Sequence, residues 1–254
     1  MIKNRRFTLF AFLFIVFYVL FFHSIPTIHA RNIQIPILMY HYIGNNPNKK
    51  DTARTKLSVS PQQFIEELSY LSSQGYTPIT LDTMYALQNG NAESPKKPVV
   101  LTFDDGYEDF YVNVYPLLKS FGFHAVAFIP TGLMNQKYFM SWDQVREIQN
   151  SGLVDFEGHS VNHVDLTKLT DLELTEELKE SKITLESMTG RPVNFIAYPS
   201  GRVNNRVQNK ALQLGYVGGV TTREDISSGI SMIMPRVRIK GDNSLAEFIR
   251  LIEK

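Results

Sequence analysis

The segment Pro98–Tyr107, PVVLTFDDGY, limits the fold of this chain more than any other stretch. Val99, Val100, Leu101 and Phe103 form a nearly continuous apolar run, the pattern of a strand covered on both faces in a parallel sheet. Gly106 ends the run, so Asp104 and Asp105 fall at the strand's carboxyl end. In α/β folds that end faces the ligand crevice, which makes the two acids candidates for chemistry. Asp-Asp-Gly is equally ordinary turn composition, with Asp accepting backbone N–H bonds and Gly supplying positive φ.

The rest of the chain alternates strands with amphipathic helices. Ile35–His41 reads as a first strand with His41 at its carboxyl end, and the polar stretch from Gly44 to Lys56 reads as an exposed loop. Ser60-Pro61-Gln62-Gln63, Ser141-Trp142-Asp143-Gln144, Thr170-Asp171-Leu172-Glu173 and Ser244-Leu245-Ala246-Glu247 are four capping-box patterns, each opening a helix. Helical spacing at Phe110, Val114, Leu117 and Leu118 predicts a helix over Tyr107–Phe121, kinked early by Pro116. Further strands are predicted at Thr77–Thr80, His124–Pro130, Leu153–Phe156, Val193–Tyr198, Tyr216–Thr222 and Ile233–Ile239. Sustained alternation of this kind predicts one parallel sheet, closed or nearly closed into a barrel, in an α/β domain.

Residues Met1–Ala30 carry Lys3, Arg5 and Arg6, then an unbroken apolar run from Phe7 to Phe22, and end in Ile28-His29-Ala30. This is the pattern of a secretory leader, either cleaved or kept as an amino-terminal membrane anchor, with residues 31–254 forming the domain outside. A secreted or cell-surface location is therefore expected. The 254 residues include no cysteine, which excludes disulfides, thiolate metal sites and cysteine nucleophiles and leaves His and carboxylate as ligands. A formal charge of +1 gives no reason to expect nucleic acid as a partner and is compatible with a neutral glycan.

Gly158-His159-Ser160-Val161-Asn162-His163 follows the strand at Leu153–Phe156. Its two imidazoles are four residues apart, the spacing of one helical turn, so both rings can face one point. Two His and one carboxylate make a facial divalent-metal site with open positions for water and substrate.

Thr102-Phe103-Asp104-Asp105-Gly106 followed by His159-Ser160-Val161-Asn162-His163 resembles the first two motifs of the polysaccharide deacetylases, the NodB-homology or carbohydrate esterase family four domain. The resemblance runs over nearly the whole chain after the leader. It implies a distorted (β/α) barrel of about seven parallel strands and metal-dependent removal of acetyl groups from N-acetylated sugars. Carried over by position, Asp105, His159 and His163 hold the metal and Asp104 is the base. Zinc is the ion expected, although His and carboxylate donors suit zinc, cobalt, nickel and iron alike.

The pattern departs from the family in two places. The third motif, usually Arg-x-Pro-Tyr-Gly, here reads Ala197-Tyr198-Pro199-Ser200-Gly201, without the arginine that orients the base. Arg236, in Pro235-Arg236-Val237-Arg238, is the replacement expected. Tyr198 and Ser200 are expected beside the substrate, with a backbone N–H near Ser200 as oxyanion donor. No histidine follows His163, where the family usually supplies a late general acid. Ile37-Leu38-Met39-Tyr40-His41 is similar to the early Tyr-His of a subgroup that includes the poly-β-1,6-N-acetylglucosamine deacetylases of biofilms, as is Tyr-Pro-x-Gly. His41 is therefore the acid expected, in a permuted motif order. Trp142, the single tryptophan, either stacks on a sugar ring or packs in its helix's first turn.

The function expected is removal of N-acetyl groups from an N-acetylglucosamine-containing polysaccharide by a monomer that meets the membrane only through its leader. Two other readings stand beside it: an amide hydrolase on a small non-sugar substrate, and a non-enzymatic glycan-binding protein of the cell surface.

Overall fold

The structure, a computed structural model, describes residues 34–253 apart from residue 49. The leader expected over 1–30 lies outside the described residues. In chain order the elements are β1 (Ile37–Tyr40), β2 (Tyr42–Ile43), α1 (Thr52–Leu57), β3 (Ser58–Val59), α2 (Pro61–Ser73), β4 (Thr77–Ile79), α3 (Leu81–Gln88), β5 (Pro98–Phe103), α4 (Tyr115–Phe121), β6 (Ala125–Ile129), α5 (Trp142–Asn150), β7 (Val154–Gly158), α6 (Asp171–Thr189), β8 (Phe195–Ala197), α7 (Asn205–Gln213), β9 (Gly218–Glu224), β10 (Met234–Arg238) and α8 (Leu245–Ile252).

Seven strands close a parallel ring in the order β1-β10-β9-β8-β7-β6-β5, sealed by pairing of β1 with β5 (Leu38 opposite Leu101) as well as with β10 (Leu38 opposite Val237). The eighth strand, β4, stays outside the ring. It pairs with the first half of β5, from Pro98 to Val100, while β6 takes the second half at Thr102 and Phe103. The parallel barrel expected from the alternation of elements is thus present, with helices covering it.

Alternation along each strand sorts the side chains into two apolar layers. Ile37, Val100, Val126, Phe128, Phe195, Val220 and Met234 fill the barrel, whereas Leu38, Tyr40, Leu101, Phe103, Phe156 and Ile196 face the helices. The same parity carries past the strand ends. His41, Asp104 and His159 continue the inward rows of β1, β5 and β7, and Arg236 follows Met234 on β10, so all four point to the interior at one end of the barrel.

Several local expectations need correction. The stretch Gly44–Lys56 is not all loop: Asp51 caps α1 by accepting from Arg54 N, and β2 pairs with β3. Ser60 caps α2 through Gln63 N, but the Gln63 amide reaches Glu67 and Lys240 O instead of closing a capping box. The other three boxes are complete. Between Tyr107 and Phe121 the chain first forms a wide π-type turn over Phe110–Val114, and α4 begins only at Tyr115, with Pro116 in the first turn where its missing N–H costs nothing.

Glu67 is buried on α2, where its carboxylate accepts from Tyr40 Oη (2.8 Å) and Gln63 Nε2 (2.9 Å). Burial outweighs these bonds and pushes its pKa up from 4.5 to about 7. The folded protein therefore keeps a proton that the unfolded chain releases between these values, so the group's contribution to stability declines as pH rises through that window. Glu67→Gln should gain several degrees in melting temperature relative to the parent at pH 8 and lose that advantage at pH 5, measured by thermal unfolding at both.

Candidate active site

The site is built where β5, β7, β8, β10 and β1 end. Asp104 follows β5 and is only 4% exposed. Each of its oxygens accepts a hydrogen bond from the Arg236 guanidinium, from Nη1 to Oδ1 and from Nη2 to Oδ2, both at 2.7 Å. Arg236 is fully buried, and two further donors are used: Nε donates to Thr221 O (3.0 Å) and Nη1 to Thr102 Oγ1 (3.0 Å). The Thr102 hydroxyl in turn donates to Leu38 O at 2.6 Å. A β-bulge between Met234 and Arg236, where β10 shifts register against β9, sits at this arginine. Burial alone would raise the Asp104 pKa, but the charge and hydrogen bonds of Arg236 outweigh it and hold the carboxyl below its usual range.

Asp105 points elsewhere because its backbone takes φ 73° and Gly106 follows at φ 70°. A side chain at Gly106 would also meet Ile129 Cγ2 and Met134 Cε at 2.8 Å, so this turn requires glycine both sterically and conformationally. Asp105 Oδ1 lies 3.3 Å from His159 Nε2 and 3.3 Å from His163 Nε2. Among the described residues these three form the cluster that could hold an ion, with their donor atoms within 4.8 Å of one another.

The two histidines do not share a helical turn, as their spacing suggested. They lie on a loop after β7 in which Ser160 (φ 62°) and His163 (φ 56°) adopt left-handed conformations. Glu177, buried on α6, clamps that loop by accepting from Val161 N and Asn162 N, both at 2.9 Å, and from Asn162 Nδ2 at 2.6 Å. His163 N donates to Ser160 Oγ (3.0 Å). His159 Nδ1 donates to Ala197 O at 2.6 Å, which leaves the Nε2 lone pair, on the side of Asp105, free to bind an ion. An imidazole fixed in this tautomer, a second imidazole and an ionised carboxylate fit a divalent ion with borderline preferences.

The charges are coupled. Burial raises Asp105 as an acid, but hydrogen bonding and charge from His159 reverse that and lower its pKa. Burial pulls His159 down, and Asp105 with Asp104 brings the net shift upward. For His163 burial prevails, aided by His159, and its pKa falls. His41 Nε2 is 3.9 Å from Asp104 Oδ2. Burial lowers its pKa more than the two Asp charges restore it, which works against a standing imidazolium.

Among the described residues, no ion pair or hydrogen bond joins the side chains of the remaining expected residues to this cluster. Ser200 is exposed in the turn after β8 with φ 55°. The Tyr198 ring is 1% exposed, lies in the layer facing the helices and has an unpartnered hydroxyl, so it is a packing group and not the substrate contact expected. Trp142 is half-buried against that same outer layer at the start of α5, the packing alternative. Thr102, Ala197, Thr221 and Glu177 went unrecognised in the sequence. The period-two row through Asp104 marks Thr102 as inward, but the other three act through backbone carbonyls or across long separations.

A closed parallel barrel whose carboxyl end carries an Arg-held Asp beside an Asp-His-His cluster defines a (β/α)-barrel protein with a carboxylate and imidazole centre. The chain belongs to the polysaccharide deacetylase family, whose model matches residues 91–219. It is 30% identical over 222 residues to YxkH of Bacillus subtilis, named as a polysaccharide deacetylase, covering 87% of this chain and 76% of that one. Against the poly-beta-1,6-N-acetyl-D-glucosamine N-deacetylase of Escherichia coli K12 it is 29% identical over 77% of this chain and 36% of that longer protein. The structure superposes on the Streptococcus pyogenes deacetylase PplD, solved with acetate, with a TM-score of 0.81 and 33% identity, covering 88% of this chain and 100% of the other.

Removing one member of a buried ion pair joined by two hydrogen bonds strands the other. Arg236→Met should cost about 3–5 kcal/mol of stability, read as a drop in denaturant midpoint, whereas Arg238→Met, whose partner Glu224 is exposed, should cost under about 1 kcal/mol.

Proposed function

We propose that this protein hydrolyses the N-acetyl groups of an N-acetylglucosamine-containing surface or extracellular polysaccharide, with zinc as the ion. The observation that carries the reading is the division of labour between adjacent acids: Asp104 is committed to Arg236, and Asp105 to the two imidazoles. The Escherichia coli relative's name supports the choice of a poly-N-acetylglucosamine substrate, and acetate in the PplD structure is the acid that such a reaction releases. The leader pattern supports a secreted or surface location.

An ion held by Asp105, His159 and His163 would supply Lewis-acid activation of the amide and of water. The chain's own groups do the rest. Asp104, kept ionised by Arg236, accepts the proton of the attacking water; its low basicity is offset by fixed position and permanent charge. Arg236 holds both Asp104 oxygens, so the carboxylate does not rotate to reach the proton. A backbone N–H at the Ser200 turn faces the developing oxyanion. His41 donates a proton to the nitrogen as the C–N bond breaks, giving acetate and a free amine. Since burial lowers its pKa, His41 is a strong acid with a small protonated fraction at pH 7, and the nearby Asp104 is the group from which it recovers its proton.

Acetate release from N-acetylglucosamine polymers, peptidoglycan, chitin oligomers and acetyl-xylan tests the substrate class, and no release from any N-acetylated glycan would reject the reading. Chelation should abolish release and added divalent ion should restore it; activity in protein shown by elemental analysis to be metal-free would exclude the ion site. In the same assay Asp105→Asn should lose metal, whereas Asp104→Asn should keep metal and lose turnover.

His41→Ala should lower amide turnover by about 10²–10⁴-fold, the usual contribution of a general acid, with metal content intact. An activated aryl acetate, whose phenolate leaves without a proton, should suffer much less. Equal loss on both substrates would remove His41 as the acid.

A further inference from the structure

His41 and Asp104 leave the barrel side by side, and each is the first residue past its strand: β1 stops at Tyr40 and β5 at Phe103. Arg236 fixes the Asp104 carboxylate. Among the described residues no hydrogen bond does the same for the His41 ring, which stands 3.9 Å from Asp104 Oδ2. Its position is therefore inherited from the residue before it.

Tyr40 is tied to the Asp104 side of the site at three points. It lies opposite Phe103 in the β1–β5 register, its carbonyl accepts from Asp104 N at 3.0 Å, and its ring stacks on Phe103 at 5.1 Å and 16°. Helix α2 closes the group from outside with two residues of one face. Phe64 meets Tyr40 (5.4 Å, 76°) and Phe103 (5.8 Å, 88°) edge-on, and Glu67 Oε2 accepts from Tyr40 Oη at 2.8 Å. The other oxygen, Oε1, accepts from Gln63 Nε2, which also donates to Lys240 O two residues past β10.

The ring contacts and the hydroxyl bond differ in what they fix. Aromatic pairs tolerate centroid separations over about 4.5–7 Å, whereas a hydrogen bond holds its atoms to a narrow range of length and angle. The bond to Glu67 is thus the directional contact on the Tyr40 side chain. It persists in either charge state of Glu67, since a carboxylate accepts from a phenol and a carboxylic acid donates to it. A carboxyl group buried in an apolar layer weakens the fold where a leucine would strengthen it. Such a local conflict is expected where a residue serves function.

We propose that Tyr40 and Glu67 are positioning residues for the reaction, their hydrogen bond holding His41 at its working distance from Asp104. The proposal rests on the reading of His41 as the acid and Asp104 as the base.

Three variants of the metal-loaded protein test it. Tyr40→Phe keeps the ring and removes the bond, and Glu67→Met removes the bond together with the buried acid. Glu67→Gln keeps it, because the amide donates through Nε2 to Tyr40 Oη and accepts through Oε1 from Gln63. Crystal structures should show the His41 ring displaced or split between conformers in Tyr40→Phe and Glu67→Met, and in place in the parent and Glu67→Gln. For an N-acetylated glycan, kcat should fall about tenfold in the first two, as for a misplaced catalytic group, with KM unchanged and Glu67→Gln close to the parent. An activated aryl acetate, which needs no proton on its leaving group, should be cleaved nearly as before. Were the bond to serve stability alone, losses would follow the melting temperature and fall equally on both substrates. That result overturns the proposal, as does an unmoved His41 ring or parent-like amide turnover in both Tyr40→Phe and Glu67→Met. Glu67→Met keeps the test decisive if Tyr40→Phe folds poorly. The two readings fail separately: a parent that releases no acetate from any N-acetylated glycan loses the deacetylase reading, and the position of the His41 ring in the variants then decides the positioning pair by itself.

Discussion

The two-pronged pairing of Arg236 with Asp104 is the interaction on which the rest of the site depends. Two full charges out of solvent are tolerated when each is matched and further hydrogen bonds support the pair. Here the guanidinium satisfies that condition with Asp104, Thr102 and Thr221, and Thr102 passes the chain of bonds on to Leu38. The partners come from β5, β9, β10 and β1, so the network ties together the arc of the ring at which its first and last strands meet. Closure of the barrel and orientation of the acid are thus one event. A ring left open between β1 and β10 would leave a charged arginine in an apolar interior.

With Asp104 fixed, the backbone turn decides the role of its neighbour. Consecutive positive φ values at Asp105 and Gly106 direct the second carboxylate to the two imidazoles, so two identical side chains enter opposite environments. One is neutralised by a permanent cation, and the other by rings whose own charge depends on it. The shifts of His159 and His163 are opposed: for His159 burial is outweighed by Asp105 and Asp104 and the pKa rises, whereas for His163 burial prevails, with the charge of His159 adding to it.

Backbone strain collects at this end of the barrel and is absorbed by ordinary structure behind it. Asp105, Ser160, His163 and Ser200 all lie in the left-handed region, and all lie on turns that follow strands β5, β7 and β8. Glu177 on the long helix α6 holds one of these turns with three hydrogen bonds. A rigid barrel and a well-capped helix therefore keep Asp105, His159 and His163 in conformations that the loop alone would abandon.

The sequence by itself determined the class of fold and which acids and imidazoles gather at the end of the barrel. A doubly covered strand demands a parallel sheet, strict alternation after it places Asp104 on an inward row, and a chain without cysteine has only His and carboxylate for a metal. Arg236 could be nominated because a motif arginine was missing. Its pairing with Asp104 across 132 positions, however, was decided by barrel closure and the β10 bulge. Local spacing misled where tertiary contacts prevail: four residues between His159 and His163 look like a helical turn, but the rings converge through a clamped loop. Tyr198 and Trp142 look like substrate contacts by type, and packing turns both toward the helices. Residue type and period are local properties and can be read along the chain. Which face a ring presents and which distant carbonyl orients an imidazole are set by contacts that exist only once the barrel has closed.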